Sequence, residues 1–146
     1  MNRRTLLIGG LAAIGATGTA AGWAYSRRDF GGKDLTPTEA HQAAIGGDII
    51  LVDIRRPDEW QRTGVGEGAY PLDMRRNDFV TELDKIVDSN RETPVAIICA
   101  RGVRSNRMSR RLMEAGYTRI IDVPEGMLGS NAGPGWLERG LPTVDG

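Results

Sequence analysis

The chain has 146 residues, and its 19 basic and 19 acidic side chains cancel to a formal net charge of zero. After the first two dozen residues about 120 remain, enough for one packed core and too few for two, and balanced charge leaves no overall field to draw nucleic acid. One cysteine and one histidine exclude an intrachain disulfide framework and a cysteine-rich zinc site, and any mechanism built on an imidazole would need His41.

Residues 1–26 read as a leader. Arg3-Arg4 precedes a run from Thr5 to Ser26 that carries no charge and only moderate apolarity. A basic start before an apolar stretch is the pattern of an export signal, and Arg3-Arg4 followed by Leu6-Leu7 resembles a twin-arginine signal. The alternative is a retained anchor, since about 20 residues span a hydrocarbon core and Trp23 and Tyr25 suit an interface. Both place the rest of the chain across the plasma membrane, as an exported periplasmic protein or one anchored there.

A linker over 27–35 leads to the domain, 36–146. Thr36-Pro37-Thr38-Glu39 has capping-box spacing with Pro at the first helical position, so a helix should run to about Ile45 and stop at Gly46-Gly47. Ile49-Ile50-Leu51-Val52 is a continuous apolar run, as in strands buried on both faces. A second helix starts at Pro57, Gly64, Gly66 and Gly68 mark an irregular turn, and Ala69 to Leu72 is a short strand. Asn77 should cap a helix whose apolar residues Phe79, Val80, Leu83, Ile86 and Val87 recur at helical spacing. Next come a strand ending at Ile98, a turn at Cys99, a helix from Ser105 to Ala115, and a strand from Arg119 to Val123. The alternation predicts an α/β fold with a mostly parallel central sheet of about five strands and helices on both faces. Ligands bind at the carboxyl ends of such strands, which is where Cys99 sits.

Cys99-Ala100-Arg101-Gly102-Val103-Arg104 holds the only thiol. A free cysteine is commonly a small core residue; Gly102 and two arginines in the same turn argue for chemistry instead. Gly102 lets the backbone turn where a Cβ would obstruct it. The loop's N–H groups and the helix N-terminus can then favour a thiolate, while guanidinium forks at Arg101 and Arg104 suit small oxyanions. Arg107 and His41 read as solvent-facing residues without a chemical role.

Cys99 to Ser105 resembles the active-site loop of the rhodanese family, Cys-x-x-Gly-x-Arg-Ser. Asp53-Ile54-Arg55 with Glu59-Trp60, Gly68-Ala69, Gly116-Tyr117, and Trp136 with Gly140-Leu141-Pro142 follow in family order. Two positions depart from the pattern. Thr63-Gly64-Val65 replaces a Gly-His-Ile turn, and Glu125-Gly126 replaces Gly-Gly, followed by a glycine-rich insert from Met127 to Gly135. The resemblance implies a sulfurtransferase with Cys99 as nucleophile. The thiolate would take sulfane sulfur from a small sulfur-containing anion such as thiosulfate and pass it, as a persulfide, to cyanide or a thiol. It further implies that backbone amides of Ala100, Arg101, Gly102, Val103, Arg104 and Ser105 hold the sulfur, that Arg101 and Arg104 bind the donor, and that no metal or organic cofactor is needed. Asp53 and Arg55 are expected to brace the neighbouring loop.

Two rival readings remain. A phosphatase or arsenate-reductase loop needs Cys-x₅-Arg, whereas Arg104 stands five positions after Cys99 and makes the ring one residue smaller. A non-catalytic, membrane-tethered binding module would keep the fold without needing the cysteine.

Overall fold

The computed structural model describes residues 33–146; the leader and most of the expected linker lie outside them. Helix α1 spans Pro37–Ile45 and opens on the expected reciprocal cap. Thr36 Oγ1 accepts from Glu39 N at 3.3 Å, and Thr36 N donates to Glu39 Oε2 at 2.8 Å. After it come β1 (Ile50–Asp53), α2 (Pro57–Thr63), β2 (Val65–Gly66), β3 (Ala69–Pro71), α3 (Phe79–Ile86) and β4 (Val95–Ile98). The chain closes with α4 (Val103–Glu114), β5 (Ile120–Asp122) and β6 (Thr143–Val144). Among these helices none is long and apolar enough to cross a membrane.

The central sheet has four parallel strands, in the order β3-β1-β4-β5, rather than about five. A separate antiparallel ribbon pairs Val65 with Val144 and Gly66 with Thr143, and a single parallel bridge joins Asp34 to Asp122 at the β5 edge. Two-residue strands carry no alternation to read, so this ribbon has no sequence signature. Elsewhere the boundaries shift by a residue or two. Asp78 rather than Asn77 precedes α3, and α4 begins at Val103 rather than Ser105 because Gly102 already makes the turn into it.

Both faces of the sheet are covered, as continuous apolar strands require. Side chains alternate along β4: Val95 and Ile97 pack with Phe79, Leu83, Met108 and Leu112 of α3 and α4. Ala96 and Ile98 pack on the opposite face with Ala40 and Ala43 of α1, and with Met127 and Trp136. Cys99 continues the parity of Val95 and Ile97. The period of two thus aims its side chain toward the α3/α4 side, at the root of the helix that follows.

Candidate active site

Strand β4 is an interior strand with all four residues buried, so its carboxyl end is a fixed point on which a loop can be built. The loop leaving it is pinned from behind. Met127 N donates to Cys99 O and Leu128 N to Ala100 O, both at 2.9 Å.

Gly102 adopts φ +85°, the left-handed region that L side chains avoid. A Cβ there would stand 2.3 Å from the Pro124 carbonyl oxygen, so space as well as torsion demands glycine. This turn swings the Gly102 N–H to 3.2 Å from Cys99 Sγ, and one helical turn later Ser105 N lies 3.3 Å from the same sulfur. Ser105 itself is fully buried, its hydroxyl donating to Gly102 O at 3.2 Å. Two main-chain donors therefore converge on a sulfur at the N-terminus of a 12-residue helix, where the macrodipole adds positive potential. Cys99 is 1% exposed. Its sulfur therefore faces these main-chain donors rather than open solvent.

The arginines of the loop are already engaged. Arg104 Nη1 and Nη2 donate to Glu59 Oε2 and Oε1 at 2.8 and 2.6 Å, a two-point pair from α4 to α2. Arg101 Nη1 donates to the Gly129 carbonyl at 3.2 Å. Glu59 also accepts from Arg56 N at 2.9 Å. The Arg104 hydrogen bonds, helped by the Arg56 amide and opposed by partial burial, hold its carboxyl down to about 2. A donor oxyanion reaching Arg104 must share it with Glu59. Glu59 belongs to the Asp53–Trp60 motif, and its spacing showed membership of the motif but not its partner, which lies 45 residues away.

Asp53 and Arg55 form a fully buried pair, with Arg55 Nη2 to Asp53 Oδ2 at 2.7 Å and Arg55 Nε to Asp53 Oδ1 at 3.0 Å. Arg55 also donates to Thr63 Oγ1 and Gly64 O, each at 2.9 Å, and to Glu59 O at 3.5 Å. The pair thereby ties the end of β1 to the end of α2, the helix that carries Glu59. Neither side chain makes a hydrogen bond to the cysteine sulfur.

The second departure from the family pattern, Glu125-Gly126 with the insert behind it, has structural consequences. Gly126 sits at φ +69°, where a Cβ would come within 2.3 Å of Ala100 O, so this glycine seats the back of the cysteine loop. Glu125 is buried and held by Arg139 at 2.8 and 2.7 Å and by Gly135 N at 3.0 Å. The Arg139 hydrogen bonds keep its carboxyl below the usual range despite burial. The insert from Met127 to Gly135 is thus closed at its base by one carboxylate. His41 turns its Nε2 to Glu67 at 2.9 Å and packs edge-on against Trp136, away from the loop. Among the described residues no cluster of His, Cys, Asp and Glu could hold a metal ion.

Comparison with known proteins agrees with this fold. The family described as "Rhodanese-like domain" matches residues 36–131. An uncharacterized protein of Rickettsia conorii is 26% identical over 117 residues, spanning 75% of this chain and 95% of its own length. A tRNA uridine(34) hydroxylase of Acinetobacter baumannii is 26% identical over 102 residues, 69% of this chain and 32% of that protein. Among solved structures, the polysulfide-sulfur transferase of Wolinella succinogenes superposes with a TM-score of 0.59 at 25% identity, covering 86% of each chain. A Mycobacterium tuberculosis protein (Rv0390) gives 0.58 at 27% identity, covering 78% of this chain and 98% of its own. The cysteine loop, its two amide donors and the Glu59–Arg104 pair all fall inside the matched segment, and the chain belongs to the rhodanese-like domain family.

Proposed function

We propose that the chain is a sulfurtransferase in which Cys99 carries sulfane sulfur from a donor such as thiosulfate to cyanide or a thiol. The observation that carries this reading is the convergence of Gly102 N and Ser105 N on Cys99 Sγ. Hydrogen bonds to a charged acceptor are the strong ones, about 1.5–3 kcal/mol each, so the loop is suited to an anionic sulfur. In the first half-reaction the Cys99 thiolate attacks the outer sulfur of thiosulfate; the new S–S bond forms as the donor's S–S bond breaks, and sulfite leaves with the electron pair. In the second, the acceptor attacks the outer sulfur of the Cys99 persulfide and the thiolate is regenerated. No net oxidant or reductant is consumed.

The similarity to a polysulfide-sulfur transferase supports this reading, and so does the narrow spacing from Cys99 to Arg104, which is one residue short of a phosphatase loop. Steady-state transfer from thiosulfate to cyanide tests it. The wild type is expected to turn over and Cys99→Ser to be inactive; aryl-phosphate hydrolysis lost in Cys99→Ser would point to the phosphatase reading instead. Export is part of the same proposal and rests on Arg3-Arg4 and the uncharged run behind them. Cell fractionation of wild type against R3K/R4K tests it, with loss of the translocated form expected in the variant.

A further inference from the structure

Outside the cysteine loop, α4 turns an uncommon face to solvent. Val103 is 69% exposed and Met113 is 48% exposed. Arg107 and Arg110 stand between them at helical spacing, so the four side chains share one stripe of the helix. Arg107, Arg110 and Arg111 are exposed and form no ion pair with any described residue. Arginine and methionine around exposed apolar groups are the composition of protein interfaces, where lysine is depleted, and this chain has two lysines in all, Lys33 and Lys85.

Beside the stripe lies a groove of about 520 Å³ lined by Arg101, Val103, Arg107 and Arg110, with Asp34 and Asp122 also at its wall. Asp122 is nine-tenths buried, so the exposed arginines dominate the surface of the groove.

We propose that the outer face of α4 and this groove dock the sulfur acceptor, a protein that presents its thiol on an acidic loop. The inference rests on the Cys99 sulfur-transfer reading and names its partner. Carboxylates of the loop meet Arg107 and Arg110, and an apolar residue covers Val103 or Met113. Val103 belongs to the cysteine loop itself, so a partner seated on it brings its thiol to the loop's rim. There the acceptor thiolate attacks the outer sulfur of the Cys99 persulfide; one S–S bond forms, one breaks, and the electron pair returns to Cys99. An RNA backbone fits less well, because its phosphates would leave the exposed Val103 and Met113 uncovered.

The test uses two short cysteine peptides, one flanked by Asp and Glu and its counterpart flanked by Lys, together with a single-stranded RNA oligonucleotide. Binding to the full chain carrying Cys99→Ala is read by fluorescence anisotropy, and sulfur off-loading from the wild-type persulfide is read by peptide mass. The acidic peptide is expected to bind and to unload Cys99 about tenfold better than the basic one, a difference of about 1.4 kcal/mol. R107E/R110E should abolish that preference while persulfide loading and discharge to cyanide stay unchanged. Equal use of both peptides, a preference retained in R107E/R110E, or RNA binding tighter than the acidic peptide would each overturn the proposal. If Cys99 never takes up sulfur, the sulfur-transfer reading fails, and the anisotropy arm still decides the docking face.

Discussion

Arg104 in the first turn of α4 and Glu59 in α2 close on each other through two hydrogen bonds of 2.8 and 2.6 Å, across 45 residues of sequence. The arginine expected to receive the donor's oxyanion is therefore pre-positioned by a carboxylate that also competes for it. Removing only the arginine leaves that carboxylate without its countercharge beside the path of an anionic donor. Arg104→Ala is expected to raise the thiosulfate KM about tenfold, and E59Q/R104A to raise it less, since the repelling charge is gone. Steady-state kinetics on the two variants and on Glu59→Gln make a double-mutant cycle. Strictly additive effects would show that the pair is not coupled to donor binding.

The same pair fixes a pH dependence. Glu59 is held at about 2, well below its ordinary 4.5, chiefly by Arg104. A depressed carboxyl contributes stability that is present above its unfolded value and lost as pH falls through its folded value. Wild type should therefore lose thermal stability more steeply than Glu59→Gln between about pH 4.5 and pH 2, with the two curves parallel above that window. Melting temperatures measured in steps across this range check it.

Gly102→Ala should abolish sulfur loading and also lower stability. The φ of +85° costs a non-glycine residue about 1–2 kcal/mol, and the added methyl would stand 2.3 Å from the Pro124 carbonyl. Gly126→Ala drives its methyl into Ala100 O at the same 2.3 Å and should displace the loop from behind. Denaturant midpoints with sulfur uptake measured in parallel check both; wild-type loading in either would show that the loop tolerates the shift.

Breaking the Asp53–Arg55 pair should act on stability first. Both side chains are fully buried, and removing one partner of a buried pair costs about 3–5 kcal/mol because the other charge is left uncompensated. Arg55→Met is expected to lower the urea midpoint by a corresponding amount. Activity per folded molecule should fall only as far as the shift of α2 and Glu59 carries it. A variant of wild-type stability would contradict the bracing role.

Much of this was legible in the sequence because the signals are local. Thr36 to Glu39 encodes its cap within four residues, the run Val95–Ile98 declares a buried strand, and Gly102 announces a turn only glycine can make. The loop around Cys99 is likewise a contiguous segment; of the six amides expected there, those of Gly102 and Ser105 lie within hydrogen-bond distance of the sulfur. What escaped depends on tertiary approach. Nothing near Glu59 indicates that Arg104 will be its partner, and nothing near Glu125 indicates Arg139. The two-residue strands Val65–Gly66 and Thr143–Val144 pair only because the sheet brings distant segments together. The present partners of Arg101 and Arg104 escaped for the same reason, since Gly129 O and Glu59 lie far along the chain.

The central claim is that Cys99 accepts a sulfur atom held by the amides of Gly102 and Ser105. Intact-mass measurement after incubation with thiosulfate tests it most directly. Wild type should become heavier by one sulfur atom and lose it on adding cyanide, while Cys99→Ala stays unchanged. A wild-type mass that does not move, or the same gain in Cys99→Ala, would contradict the account.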